Sequence, residues 1–445
     1  MDNRSFTRKL FVVALPIAFQ SLMLSLVAAG DALMLGRFSQ SAMAAVSLAT
    51  QVQFIQIMFL WSIVCGMNIL GAQYWGKGAK DVMSTILGIA LRLSAVVDIV
   101  FFIACIVCPE KLMLFFAHDP ELIAIGADYL RIAAWSYLIS GISMCYLEMM
   151  KVSEHVLCSA VISSGAVILN IILNAIFIFG LCGAPAMGAK GAALATVCAR
   201  VIELAVCLLL SLKASFVRVH FCNLVTFDWR LIADFARYSL PICGAGTLWG
   251  VGFTAYTAIM GHLGVDSAAA NSIAAVVRDI MCCICNGLAG AAGILIGNEL
   301  GAGQLETGRK IGNRLMVISF AMGLFCMVVV LASIPLAEHF IILTDTARQY
   351  MRGMLMILSV YMIGRTFCTI VINGVFYAGG DSLFDVYSLI VCMWCIALPC
   401  AFAGAFYFRL PVLVVYACTC LDEVGKIPWV VHHHFKYKWV RNITR

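Results

Sequence analysis

LFVVALPIAFQSLMLSLVAAGDALMLG, Leu10–Gly36, holds a single charged side chain, Asp31. A run this long and apolar can cross a bilayer as a helix, which needs about 20 such residues. The carboxylate is then the anomaly. An ionisable group in hydrocarbon is costly and as a rule faces a cavity or a partner. Near a helix end it can instead reach water.

Eleven further runs of the same kind follow. The twelve expected spans cover residues 10–36, 46–75, 84–108, 124–150, 156–180, 188–212, 233–261, 268–298, 310–335, 348–378, 384–407 and 411–434. Of the 445 residues, 63% are hydrophobic and 12% charged, against about a quarter charged in soluble domains. The fold class expected is an all-α polytopic membrane protein, because a helix satisfies its own backbone in lipid. The short alternating strands of a membrane barrel are absent. No cleavable signal peptide is expected, since the first run is too long and lacks a clear cleavage site.

The net charge of +6 is modest, and its placement matters more than its size. Arg4, Arg8 and Lys9 precede the first run. Lys77 and Lys80 follow the second, and Lys213, Arg218 and Arg230 separate the sixth from the seventh. Arg309 and Lys310 follow the eighth, and Lys436, Lys438, Arg441 and Arg445 close the chain. With twelve spans all of these fall on one side, so both termini are expected in the cytoplasm. Fewer lie opposite, mainly Arg37, Lys111, Lys190, Arg348 and Arg409. The basic residues at the chain ends and between the spans read as cytoplasmic anchors, and no nucleic-acid partner is expected.

The two halves repeat. Leu15-Pro16-Ile17 matches Leu240-Pro241-Ile242. In that register Gly36 meets Gly261, Ala44-Ala45 meets Ala269-Ala270, and Gly76-x-Gly78 meets Gly301-x-Gly303. Each repeat has an even number of spans, so the two six-helix units are expected to be parallel, as in some secondary transporters. The expected organisation is an N-terminal six-helix lobe over 1–212, a cytoplasmic linker over 213–232, a C-terminal six-helix lobe over 233–435 and a basic tail over 436–445. The counterpart of Asp31 is Tyr256. The carboxylate is therefore no part of the shared scaffold, which favours a functional role.

The chain resembles the multidrug and toxic compound extrusion (MATE) transporters along nearly its whole length. The likeness rests on LPIAFQ (Leu15–Gln20) and GDALMLGRFSQSAMAAVSLATQ (Gly30–Gln51). It rests also on LNIILNAIFIFGLCGAPAMGAKGAALATVCAR (Leu169–Arg200) and NELGAGQLETGRK (Asn298–Lys310). The resemblance implies two six-helix bundles facing a central cleft, and antiport of Na⁺ or H⁺ inward against organic compounds, often cationic, outward. In one branch of the family a cation site draws on the first, fifth and sixth spans. The matching positions here are Asp31, Asn170, Asn174 and Thr196. Carboxylate, amide carbonyl and hydroxyl oxygens suit a hard cation, and protonation of Asp31 is the competing mechanism. Some relatives carry a carboxylate where Asn174 stands, which leaves Asp31 as the main anionic ligand here.

Another branch places carboxylates on the seventh and tenth spans. The corresponding positions lie near Gly250 and Arg365-Thr366, where no acid stands, so coupling is expected in the N-terminal half. Relatives often carry an Arg just before the Gly-Asp that follows the tenth span, where this chain has FYAGGD.

Other polar and aromatic residues suggest a substrate cavity. Gln20 lies on the face of Asp31, Gln53 and Gln56 add amides, and Trp249, Phe253 and Tyr256 follow helical spacing. Such a wall suits flat organic cations through cation–π contact; the plainer reading of an aromatic stripe is packing. Adjacent Arg278 and Asp279 are expected to need separate partners. Arg92, Asp98, Glu148, Arg200 and Glu203 read mostly as partnered or snorkelling groups. Pro16 is a candidate hinge, or else marks a helix start. His432-His433-His434 is expected at the membrane interface. The 20 cysteines are scattered and read as free thiols.

No Walker A, H-E-x-x-H or G-x-S-x-G motif is present, so no enzymatic activity and no cofactor beyond a coupling ion are expected. The expected function is cation-coupled export of organic cations by a monomer in a cytoplasmic-type membrane. Two rivals are a lipid-linked oligosaccharide flippase of related fold, disfavoured by the few basic residues inside the spans, and a non-transporting receptor or scaffold.

Overall fold

The computed structural model describes residues 3–212, 217, 227–340 and 343–444; the side chains of 3–5, 28–29 and 340 fall outside the description. Most of the expected linker at 213–232 lies outside the described residues, as do Lys213, Arg218, Arg445 and the side chain of Arg4.

Every regular element among the described residues is helical. The first half comprises α1 (Asn3–Phe38), α2 (Gln40–Gly76), α3 (Lys80–Val107), the short α4 (Pro109–Phe116), α5 (Pro120–Val152), α6 (Val156–Phe179) and α7 (Ala189–Ser211). The second comprises α8 (Trp229–His262), α9 (Val265–Gly301), α10 (Leu305–Phe340), α11 (Asp345–Phe376) and α12 (Leu383–Tyr407). Apart from α4, these account for 11 helices long and apolar enough to cross a membrane.

The twelfth expected span, 411–434, differs. It is three short pieces, α13 (Val412–Thr419), α14 (Leu421–Val424) and α15 (Ile427–Phe435). The breaks bracket Asp422 and Glu423 and adjoin Gly425 and Lys426, and α15 restarts with Pro428 in its first turn. Proline fits a first turn because its missing N–H would be unpaired there anyway. Wide π-helical turns occupy Thr369–Phe376 in α11, and Ile390–Ala397 and Ala403–Tyr407 in α12. Pro399 lies between the last two, where it removes a ladder donor.

The turn from α6 to α7 shows why the Leu169–Arg200 block is glycine-rich. Gly180 has φ +72°, and a Cβ there would stand 2.8 Å from the Ala186 nitrogen. At Gly191 a Cβ would stand 2.5 Å from the Phe177 carbonyl oxygen, so the missing side chain lets α7 press against the end of α6. Small residues permit such approach where lipid gives helices no hydrophobic drive to associate.

The chain divides into two compact units, one of Phe19–Ala236 and one of the residues up to Ala18 with Arg237–Arg445. The sequence assigns 1–212 to a single lobe; in the structure the first part of α1 groups with the C-terminal helices. The core of the Phe19–Ala236 unit is built on Leu130, Tyr137, Ile178 and Ala193. That of the other unit is built on Ala274, Cys326, Met351 and Leu358. Pro16 and Pro241 lie inside α1 and α8, which removes the helix-start reading of Pro16.

Candidate functional site

Within the Phe19–Ala236 unit, α1 carries Asp31, α6 carries Asn170 and Asn174, and α7 carries Thr196. Four residues apart, the two asparagines share one face of α6. Asn174 Nδ2 donates to Asp31 Oδ1 at 2.5 Å and to Asn170 Oδ1 at 3.2 Å. Asn170 Nδ2 donates to Thr196 Oγ1 at 3.3 Å, and that hydroxyl donates to the Ala192 carbonyl at 3.0 Å. Asn170 and Asn174 are buried. One acceptor stays open: Asn174 Oδ1 is buried with no hydrogen-bond partner among the described residues. The structure thus brings the four sequence-derived residues into one chain of polar contacts ending on a carboxylate. The buried Tyr129 of α5 is within electrostatic reach of Asp31; no local pattern marked it.

The amides named for a cavity separate. Gln20 is buried, with Oε1 unpartnered among the described residues, and Gln53 is half-buried. Gln56 is no cavity wall. It is fully buried, and its Nε2 donates to Asp98 Oδ1 at 2.8 Å and to the Tyr137 carbonyl at 2.9 Å. The Gly141 N–H donates to Asp98 Oδ2 at 3.0 Å. Asp98 is therefore partnered by neutral donors. Of the other charges inside spans, Glu148 accepts from Asn68 at 2.5 Å and pairs with Lys151 at 3.1 Å. Arg200 pairs with Glu203 at 2.6 Å.

In the other unit the aromatic stripe forms as spaced, with ring centroids 4.5 Å apart for Trp249–Phe253 and 5.8 Å for Phe253–Tyr256. The chain's own guanidiniums lie over it, Arg278 4.5 Å from the Phe253 centroid and Arg365 5.6 Å from that of Trp249. Arg278 and Asp279 do not take separate partners. Arg278 Nε and Nη2 both donate to Asp279 Oδ1, at 3.0 and 2.9 Å, because a long guanidinium can fold back along its own helix. Two of the three histidines in the run have partners inside the unit, and His432 is exposed. His433 bonds Asp381 at 2.7 Å, and the fully buried His434 bonds Asn313 at 2.8 Å.

Sequence reasoning missed a second charged constellation. Arg365 of α11 donates to Glu423 Oε1 at 2.6 Å, and Lys426 Nζ lies 3.4 Å from Glu423 Oε2. Asp422, Glu423 and Lys426 are buried, and Asp385 accepts from Tyr377 at 2.6 Å. The C-terminal half thus holds two buried acids in the broken last span, Asp422 and Glu423, and a half-buried one, Asp385, on α12. The Asp422-Glu423-x-x-Lys426 spacing, which favours a one-turn ion pair, was the available signal.

A family model described as MatE matches residues 16–176 and again 241–403. The matches begin on Pro16 and Pro241, the pair that sets the internal register. The uncharacterized transporter YisQ of Bacillus subtilis (strain 168) is 22% identical over 423 residues, which is 94% of this chain and 91% of the relative. The multidrug resistance protein MdtK of Pectobacterium atrosepticum is 24% identical over 400 residues, 88% of this chain and 86% of the relative. The crystal structure of the Vibrio cholerae MATE transporter VcmN in its bent form aligns with a TM-score of 0.87 at 16% identity, covering 98% of this chain and 97% of that one. At that identity the likeness is one of fold.

Proposed function

The chain belongs to the MatE family, and from that premise we propose that it is a cation-coupled antiporter that exports organic cations by alternating access. The observation that carries this reading is the polar chain from Asp31 through Asn174 and Asn170 to Thr196, with its open acceptor on Asn174. Carboxylate, amide and hydroxyl oxygens are the donors a hard cation takes. One carboxylate nearly neutralises one Na⁺, or one proton neutralises the carboxylate. Either ion removes most of the charge that α1 would otherwise carry in a low dielectric.

In the cycle we propose, Asp31 takes up Na⁺ or H⁺ from outside and releases it inside. Uptake breaks or lengthens the Asn174–Asp31 hydrogen bond, because cation and amide compete for the same oxygen. The distribution of Lys and Arg supports both termini in the cytoplasm, and a monomer is the working unit.

The test is efflux of a fluorescent organic cation from proteoliposomes under an imposed Na⁺ or H⁺ gradient. Gradient-driven efflux is expected, and the effective gradient names the ion. Efflux under neither gradient, with a panel of such dyes, overturns the reading.

A further inference from the structure

We propose that Asp422, in the broken last span, is a second proton-carrying carboxylate, reached through a small cavity inside the C-terminal unit. The inference stands apart from the Asp31 reading, since every residue it uses lies in the other unit.

Charge balance comes first. Three acids, the buried Asp422 and Glu423 and the half-buried Asp385, meet two bases, the buried Lys426 and the half-buried Arg365. Glu423 takes both cations, one on each oxygen, and Asp385 takes the Tyr377 hydroxyl. Among the described residues, Asp422 Oδ1 accepts only the backbone N–H of Glu423, at 2.8 Å. Its Oδ2 is buried with no hydrogen-bond partner among the described residues. Fully ionised, the group would carry one surplus negative charge, and the oxygen left bare is on Asp422. Such a charge in a dry interior is strongly disfavoured, and a proton is the smallest ion that removes it.

A cavity beside the segment that leads into Asp422 is the second, independent observation. A cavity of about 60 Å³ is lined by Phe253, Tyr256, Arg278, Tyr361, Thr419 and Cys420, among others, which is room for more than one water. Thr419 and Cys420 immediately precede the Leu421-Asp422 pair. Tyr256 is 6% exposed, and its hydroxyl has no hydrogen-bond partner among the described residues. Glu423, Lys426 and Arg365 act electrostatically on Asp422, and Asp422 acts on Tyr256, Tyr361 and Cys420. A phenol with a free donor and acceptor can relay a proton from cavity water toward the carboxylate. The break in the span adds to the argument, because interrupted helices with charged residues are where transporters handle ions. The step is simple: one proton joins the Asp422 carboxylate, which becomes neutral, and leaves by the same path.

The experiment is infrared difference spectroscopy between acid and neutral pH, on the purified full-length protein in lipid vesicles. It reads the carbonyl band of protonated carboxyl groups. Asp422→Asn is expected to lose one such band that Asp31→Asn retains, and to take up one proton fewer per protein. Asp422→Glu, which keeps a carboxylate, is expected to shift that band and serves if the Asn variant does not fold. Tyr256→Phe is expected to keep the band and slow its appearance after a pH jump. Superimposable spectra for wild type and Asp422→Asn, or an unmoved band in Asp422→Glu, overturn the proposal. An unchanged rate in Tyr256→Phe overturns the route.

Discussion

Asn174 Nδ2 donates a 2.5 Å hydrogen bond to Asp31 Oδ1, so under the proposed cycle the amide of α6 and the coupling cation compete for one carboxylate. If Na⁺ is that cation, Asn174→Asp places a second carboxylate beside Asp31 and is expected to raise apparent Na⁺ affinity several-fold. Asp31→Asn is expected to abolish gradient-driven efflux while leaving the folded yield intact. Dye-efflux rates against external Na⁺, measured for both variants beside wild type, check this. A wild-type rate in Asp31→Asn returns the residue to a structural role.

How much of this was legible beforehand follows from the range of each interaction. The spans showed because apolar length is a local property. The repeat showed because Pro16 and Pro241 open two copies of one pattern. Asn170 and Asn174 were named through the family resemblance, and helical spacing added that the two share one face. The partners of Gln56, Arg365 and His433 were not legible, because Asp98, Glu423 and Asp381 lie 42, 58 and 52 residues away along the chain. The break in the last span was half legible. Gly425 and Pro428 were visible, yet a window of apolar residues averages over the charges between them.

Asp98 imposes a second constraint that can be measured. A Cβ at Gly141 would stand 2.5 Å from Asp98 Oδ2 and 2.8 Å from Leu60 Cδ2. Gly141→Ala is therefore expected to force the carboxylate off its backbone donor and destabilise the protein by roughly 1–3 kcal/mol. Thermal unfolding in detergent, read beside Gly165→Ala, which meets nothing within 4 Å, checks it. Equal melting temperatures for the two variants would show that Asp98 has room to move.

An arginine of the tail reaches the FYAGGD loop. Arg441 donates to the carbonyls of Gly379 and Gly380, each at 2.6 Å, and Trp439 beside it is fully buried. A guanidinium from the end of the chain thus ties down the loop after α11. Charged hydrogen bonds of this kind contribute about 1.5–3 kcal/mol each. Arg441→Ala is expected to speed hydrogen exchange across residues 377–381 by at least an order of magnitude, with Arg441→Lys intermediate because it lacks the fork. Unchanged protection in Arg441→Ala would mean that Trp439 alone anchors the tail.

Pro16 lies in the interior of α1, two residues before the helix passes from one compact unit to the other at Ala18–Phe19. The segment before that point is tightly held: a Cβ on Gly287 would stand 2.6 Å from that of Ala18 and 2.7 Å from the Ala14 carbonyl oxygen. Proline removes one ladder hydrogen bond and crowds the preceding turn, so α1 bends there more readily than elsewhere. Loading of Asp31, about four turns further on, is expected to bias that bend. Pro16→Ala restores the donor and stiffens α1. It is expected to raise the melting temperature, to leave dye binding unchanged, and to slow coupled efflux several-fold. Efflux at the wild-type rate in a protein that melts higher would separate the bend from the transport cycle.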